Sequence, residues 1–211
     1  MRTALIAGGT GLIGNQLLHL LLTSNRYEKV IAIVRKDLPD HPKLIQVTLD
    51  MANIASYAAI RADDIFCCLG TTIGKAGSKD KFREVDFLYP LNLAKAMRAN
   101  GATQYLLVSS LGASQTSAIF YNKTKGEAEA EITNIGFETL HIFRPSLLLG
   151  HRIEKRSGED AAKFVYKIFG WLIPSKYQAI DSLKVATAML HFASLDKKGI
   201  FIHESEALQV F

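Results

Sequence analysis

Two sets of residues in this 211-residue chain combine types and spacings that could do chemistry. The first is Gly8-Gly9-Thr10-Gly11-Leu12-Ile13-Gly14, where glycines at 8, 11 and 14 follow a short apolar run at residues 3–7. A strand that turns tightly into a helix, lets an anion approach its main chain and packs that helix closely needs residues without a Cβ. The free N–H groups and positive dipole end of a helix opening at Leu12 would face the anion. Gly8, Thr10, Gly11, Leu12, Ile13 and Gly14 are therefore candidate contacts for the pyrophosphate of a dinucleotide.

The second set is Tyr121 with Lys125, four apart and so on one face of a predicted helix. A phenol is a poor acid or base near neutrality. A neighbouring ammonium and an oxidised nicotinamide ring both favour the phenolate, which would let Tyr121 pass a proton to or from a substrate oxygen as hydride moves. Ser109-Ser110 precede Tyr121 at the end of a predicted strand, where a hydroxyl can donate to a carbonyl oxygen and stabilise developing negative charge. Ser110 is the preferred donor, with Ser109 a candidate cofactor contact. The plain alternatives are serine hydrogen bonds to the strand-end backbone and an exposed Tyr121–Lys125 helix pair.

Positioning these residues takes alternating strands and helices, and the hydrophobic pattern supplies them. Strands are predicted at residues 3–7, 30–34, 44–48, 65–69, 105–108 and 139–143, and helices at 12–23, 82–100 and 118–134, the last capped by Thr116 or Ser117. After Arg144-Pro145 the regularity weakens into a charged loop at 151–158, helices near 160–169 and 182–193, and a short strand at 199–203. The fold class is α/β: a Rossmann-type doubly wound parallel sheet with helices on both faces and a small C-terminal substrate-side cap. One domain is expected over residues 1–211, with a core at 1–144 and a substrate-side portion at 145–211.

At the end of the second strand, about 20 residues past the glycine loop, an acid would hold the ribose 2′-hydroxyl of NAD. The chain reads Arg35-Lys36 there. Cations can pair with a 2′-phosphate, so the expected cofactor is NADP, with NADPH preferred over NADH; a solvated strand end is the alternative reading of Arg35. Asp50, after the third strand, is placed either to meet the adenine edge or to cap a helix.

With 48% hydrophobic and 21% charged residues the composition is that of a folded globule. The net charge of +5 is spread along the chain without a basic block, which argues for a small anionic partner and against nucleic acid. No window is long and apolar enough for a membrane span, and the N-terminus does not read as a signal peptide. Adjacent Cys67 and Cys68 are poorly placed to bridge each other and point to a reducing, cytoplasmic setting. They read as apolar packing, because no basic residue flanks them to activate a thiol. No metal site is expected, the partner is a small-molecule substrate, and the assembly is a monomer or a homodimer.

The strings at 8–14, Val-Ser-Ser at 108–110, Tyr-Asn-Lys-Thr-Lys at 121–125 and Phe-Arg-Pro-Ser at 143–146 resemble the short-chain dehydrogenase/reductase superfamily in its extended or atypical branch. Longer strings are more specific. Phe66-Cys67-Cys68-Leu69-Gly70-Thr71-Thr72, then Gly74-Lys75-Ala76-Gly77, then Arg152, Glu154, Arg156 and Gly158-Glu159 resemble the Tat-interacting-protein-2 oxidoreductase-like family. That resemblance implies that Leu69, Gly70, Thr71 and Thr72 pass beside the cofactor's ribose and nicotinamide, and that Pro145 and Ser146 touch the nicotinamide amide. It also implies an NADP(H)-dependent oxidoreductase for a small carbonyl or alcohol, with Tyr121 as acid/base, Lys125 as its electrostatic partner and Ser110 as oxygen donor. The alternatives are a non-enzymatic NADP(H)-sensing or protein-interaction regulator, and a nucleotide-sugar epimerase or dehydratase, for which the C-terminal portion leaves little room. Where the wider superfamily often has Asn in the helix after the fourth strand, this chain reads Val85-Asp86. The charged string at 152–159 either holds an anionic substrate group or forms an exposed salt-bridged loop.

Overall fold

The structure is a computed structural model in which residues 2–149 and 177–211 are described. Apolar runs form the strands β1 (Arg2–Ala7), β2 (Tyr27–Ile33), β3 (Leu44–Val47), β4 (Asp64–Cys67), β5 (Gln104–Val108), β6 (Thr139–Arg144) and β9 (Gly199–Glu204), and a short pair, β7 (Leu148–Leu149) with β8 (Ile180–Asp181), stands apart. The main sheet has the order β3-β2-β1-β4-β5-β6-β9, parallel throughout. Such strands are covered on both faces, which is why β1, β4 and β5 are apolar almost end to end.

Side-chain alternation sends each strand's residues into two cores. Ala4, Ile6, Val30, Ala32, Phe66 and Leu106 face α1 (Leu12–Thr23) and α6 (Ser182–Ser194), which pack on one another. Leu5, Ile31, Ile65, Tyr105, Leu107 and Ile142 face α4 (Tyr89–Ala99) and α5 (Phe120–Thr133). In α1 the residues Ile13, Leu17, Leu18 and Leu21 are buried, the spacing of a single helical face, and burial of each large apolar side chain contributes about 1.5–3 kcal/mol.

Several boundaries differ from the sequence expectation. β2 begins at Tyr27, not residue 30, because the Tyr27 hydroxyl donates to buried Asp64 at 2.8 Å and carries the chain into the ladder early. β4 ends at Cys67; after the Cys68 N–H bonds the Ala7 carbonyl at 2.8 Å, Leu69-Gly70 peel away from the sheet. The single long helix expected at 82–100 is three joined pieces: α3 (Lys79–Arg83), a π turn over Glu84–Leu88, and α4. α3 starts earlier than expected because Ser78 caps it, accepting from the Lys81 N–H at 3.1 Å. A further short helix, α2 (Ile73–Ala76), is capped by Thr72. α5 starts at Phe120 behind Ile119, and the nearby Ser117 accepts the Ile119 N–H rather than capping the helix.

In the tail, α6, β9 and α7 (Ser205–Leu208) complete the sheet and its helical layer. The β7–β8 pairing brings Leu149 beside Asp181. The charged string at 152–159 and the helix near 160–169 lie outside the described residues.

One feature of this layer had no sequence signal. His141 on β6 and His203 on β9 are buried and hydrogen-bond ring to ring, Nδ1 to Nε2, at 2.9 Å. Phe192 of α6 stacks on His203 with centroids 3.9 Å apart, and Phe201 stacks on His141 at 5.0 Å. One ring donates and the other accepts, so the accepting ring must be uncharged. Desolvation pushes each imidazole down to about 4, reinforced at His141 by His203. The unfolded chain therefore takes up protons as pH falls through the ordinary histidine range while the native state does not. Stability from this pair is fully present above pH 6.5 and is lost as pH drops toward 4. Urea titrations should show a loss of roughly 3–4 kcal/mol between about pH 7 and pH 5. The slope should be markedly reduced in the His141→Phe/His203→Phe double variant.

Candidate active site

The strand order reverses between β1 and β4, and the chain leaves the carboxyl ends of these two neighbours in different directions, opening a crevice. Gly8 closes the floor of that crevice with φ +86, and a Cβ there would stand 2.5 Å from the Cys68 carbonyl oxygen. A Cβ on Gly14 would run into the Gly8 carbonyl. The turn itself is pinned by the Gly11 N–H donating to the Gly8 carbonyl at 2.9 Å. Gly11 is the N-cap of α1; it brings no side-chain acceptor, and no acid lies in the first turn. The first-turn amides of Leu12, Ile13 and Gly14 thus face the crevice beside exposed Thr10 with their positive field uncancelled. A diphosphate fits this cradle: main-chain donors are available, and the close backbone packing at Gly8 and Gly14 leaves no room for a side chain there.

Tyr121 and Lys125 fall one turn apart on α5, as the spacing required. Phe82 of α3 packs on the Tyr121 ring with centroids 5.3 Å apart. The Lys125 side chain is 5% exposed, and its Nζ pairs with Oδ1 of fully buried Asp86 at 2.8 Å. Asp86 sits in the π turn, and its Oδ2 accepts the Thr71 N–H at 2.9 Å. Burial opposes the Lys125 ammonium, but Asp86 and then the Tyr121 hydroxyl outweigh it, so the lysine is held above its usual range.

Two ion pairs anchor the middle of α5. Arg83 pairs with Glu127, and Arg144 reaches Glu129 through two contacts, Nε to Oε1 at 3.1 Å and a second guanidinium nitrogen to Oε2 at 2.5 Å, while also binding Glu204 at 2.9 Å. Gly126 lets the 114–115 backbone press against the helix, since a Cβ there would stand 2.5 Å from the Gln115 nitrogen. Sequence reading missed these supports. Gly126 carried a signal, because a glycine inside a helix costs about 1 kcal/mol relative to alanine and needs a packing reason.

Ser109 and Ser110 follow β5, on the strand next to β4. Both are buried, and among the described residues neither hydroxyl has a hydrogen-bond partner. The backbone alternative for these serines is therefore not the one adopted. Leaving a buried hydroxyl unmatched costs roughly 1–3 kcal/mol, which a ligand oxygen would recover. Their main chain is tied to β6: the Ser109 N–H donates to Phe143 at 2.7 Å and the Leu111 N–H to Pro145 at 2.9 Å. Ser146 is already committed, donating to the Gln178 carbonyl and accepting from the Ser205 hydroxyl at 2.9 Å. Its side chain and its N–H, which donates to the Ser205 hydroxyl at 3.1 Å, both hold the tail in place.

Leu69, Gly70, Thr71 and Thr72 cross the top of β4, with Gly70 exposed and the Thr72 hydroxyl spent on the Lys75 N–H at 3.2 Å. Arg35 and Lys36 are exposed just past β2. Asp50 is exposed and accepts the Ala52 N–H at 3.0 Å, forming a turn ahead of the short 3-10 helix at Ile54–Tyr57. Arg35 and Asp50 both act electrostatically on Tyr89, a residue the sequence reading passed over. Burial and a 2.7 Å hydrogen bond to Glu84 push its phenol up to about 12. Cys67 is buried at the end of β4, and burial pushes the thiols of both cysteines up, which fits inert packing. Among the described residues no cluster of three or more metal-ligating side chains forms, and no helix is long and apolar enough to cross a membrane.

Comparison with known proteins agrees with this geometry. Residues 4–135 match the NAD dependent epimerase/dehydratase family. Protein HTATIP2 of Rattus norvegicus is 37% identical over 198 residues, covering 90% of this chain and 80% of its own. The protein FMP52, mitochondrial, of Candida glabrata is 37% identical over 183 residues, covering 85% and 77%. Among solved structures, the Bordetella bronchiseptica enzyme WbmH in complex with NAD+ superposes with a TM-score of 0.73 at 18% identity, covering 97% of this chain and 76% of that one. With a parallel sheet wound on both faces, a glycine cradle at its switch point and these relatives, the chain belongs to the NAD-dependent epimerase/dehydratase family, in the atypical short-chain dehydrogenase/reductase branch of HTATIP2 and FMP52.

Proposed function

We propose that this protein is an NADP(H)-dependent oxidoreductase acting on a small carbonyl or alcohol. The observation that carries the reading is the pair of unmatched buried hydroxyls, Ser109 and Ser110, at the end of β5, the strand beside β4 whose exit carries Gly70 next to the Asp86–Lys125 pair. A packing surface has no use for such donors, whereas a substrate oxygen needs them. When bound, the coenzyme would supply or take the hydride at the substrate carbon. Ser110 would donate to the substrate oxygen, and Tyr121 would deliver the proton to that oxygen in reduction and remove it in oxidation. Lys125 would set its positive charge beside the Tyr121 hydroxyl one turn away on α5. The pyrophosphate would lie on Gly8, Thr10, Gly11, Leu12, Ile13 and Gly14, with Leu69–Thr72, Ser109 and the Pro145–Ser146 main chain along the nicotinamide half and Asp50 toward the adenine.

The preference for NADPH rests on Arg35, an exposed cation just past β2, where NAD-selective sites carry an acid. A nucleotide-sugar reaction is the second reading. It is favoured by neighbours such as the MoeE5 enzyme, solved with UDP-glucuronic acid and NAD, but this chain covers 75% of that one. The cytoplasmic address is our reading of the two free thiols; the FMP52 relatives bear a mitochondrial name.

A metabolite-extract screen that follows NADPH consumption, with the Tyr121→Phe protein as blank, tests the activity. Tyr121→Phe should keep NADPH affinity while turnover falls by at least about 10²-fold; retained turnover removes Tyr121 from the chemistry. Calorimetry on Arg35→Ala should find NADPH binding weakened about tenfold and NADH binding little changed. Equal losses for both coenzymes would refute the 2′-phosphate contact.

A further inference from the structure

Asp86 makes two connections that meet at one carboxyl group. One oxygen takes the buried Lys125 ammonium of α5 at 2.8 Å, and the other takes the Thr71 N–H at 2.9 Å. Gly70 lies over this junction: a Cβ on it would stand 3.5 Å from Asp86 Oδ1 and 3.7 Å from Lys125 Nζ. Asp86 falls within the π turn Glu84–Leu88, an irregularity that recurs at functional sites in helices. An amide at this position, as in the wider superfamily, could accept the Thr71 N–H but could not compensate a buried cation.

We propose that Asp86 is a positioning residue that keeps Lys125 charged and ties that charge to the Gly70–Thr71 segment, so that coenzyme binding and proton transfer at Tyr121 proceed without the lysine changing its protonation. Buried lysines that lack a counter-charge shed their protons well below the usual range. Among the described residues, Asp86 is the carboxylate within ion-pair distance of Lys125. The other groups facing the pair are the Tyr121 hydroxyl one turn back on α5 and the Cys67 thiol at the end of β4. The remaining nearby charges are matched elsewhere: Arg83 with Glu127, Glu129 with Arg144, and Glu84 with Lys81 and Tyr89. The charge-setting half of the proposal is independent of the oxidoreductase reading, and the coenzyme half rests on it.

The experiment is NMR titration of protein labelled at the lysine ε-carbons, with Lys125 assigned by its loss in Lys125→Met. In the wild type Lys125 should remain charged up to its ordinary value of 10.5 or beyond. In Asp86→Asn, which keeps size and an acceptor for Thr71, its midpoint should fall by at least about one pH unit; Asp86→Glu should recover part of the loss. A merely structural Asp86 would lower the melting temperature and leave the Lys125 midpoint in place, which would overturn the proposal. If Asp86→Asn does not fold, the wild type still decides, because titration of Lys125 below its ordinary range is incompatible with the role. The second arm is NADPH calorimetry in buffers of different ionisation enthalpy. Wild type should bind with no net proton uptake between about pH 7 and 9, and Asp86→Asn should take up a growing fraction of a proton on binding, and weaken, as pH rises toward its lowered Lys125 midpoint. Proton uptake by the wild type, abolished in Lys125→Met, overturns the coenzyme half. Absence of any NADPH or NADH binding by the wild type removes the oxidoreductase reading and with it the coenzyme half, while the Lys125 midpoint measured by NMR still decides the charge-setting half.

Discussion

The carboxyl end of the sheet depends on one main-chain contact, the approach of Gly8 to the Cys68 carbonyl where β1 and β4 part. At that separation no side chain fits on Gly8, and α1 can start directly above β1 only because Gly14 leaves equal room over the Gly8 carbonyl. The same contact sets two chain directions. It turns β1 into α1, aiming the helix amides into the crevice, and it lets the β4 exit pass as Leu69–Thr72 along the opposite wall. Both walls of the proposed coenzyme site are therefore built from backbone, which holds shape better than side chains free to change rotamer.

Charge is then brought to that crevice from below. Taking a lysine out of water is costly, and a counter-ion offsets the cost only if its own second oxygen is satisfied as well. Asp86 meets that condition through Thr71. Removing one partner of such a pair usually costs about 3–5 kcal/mol, so the fold has strong reason to keep both. The Arg83–Glu127 and Arg144–Glu129 contacts hold α5 against neighbouring elements in the same manner, and the reacting groups are set on a helix that cannot easily slide.

Membership of the family fixes the scaffold and leaves chemistry open, since one scaffold serves many reactions. Within this chain the unmatched serines and the exposed Arg35 are the features on which the proposed reading rests. The core over β6 and β9 runs on different physics. There a neutral histidine pair and stacked phenylalanines seal the sheet edge, with no tie to the crevice.

Much of this was already written in the chain. Hydrophobic runs separated by amphipathic stretches specify the parallel sheet, because burial on both faces leaves few other arrangements. The spaced glycines specify the cradle, since the requirement for no Cβ is local. The Tyr121–Lys125 spacing specifies a shared helix face for the same reason. What the sequence could not decide is which distant partners meet. Val85-Asp86 read only as a departure from an amide until the π turn aimed the carboxylate at Lys125 and Thr71, and Ser146 looked free until Ser205 and the Gln178 carbonyl claimed it. His141 and His203 lie 62 residues apart, and nothing near either one announces the other. Burial and ion pairing arise from contacts across the whole chain, so their energies exist only once the sheet has closed.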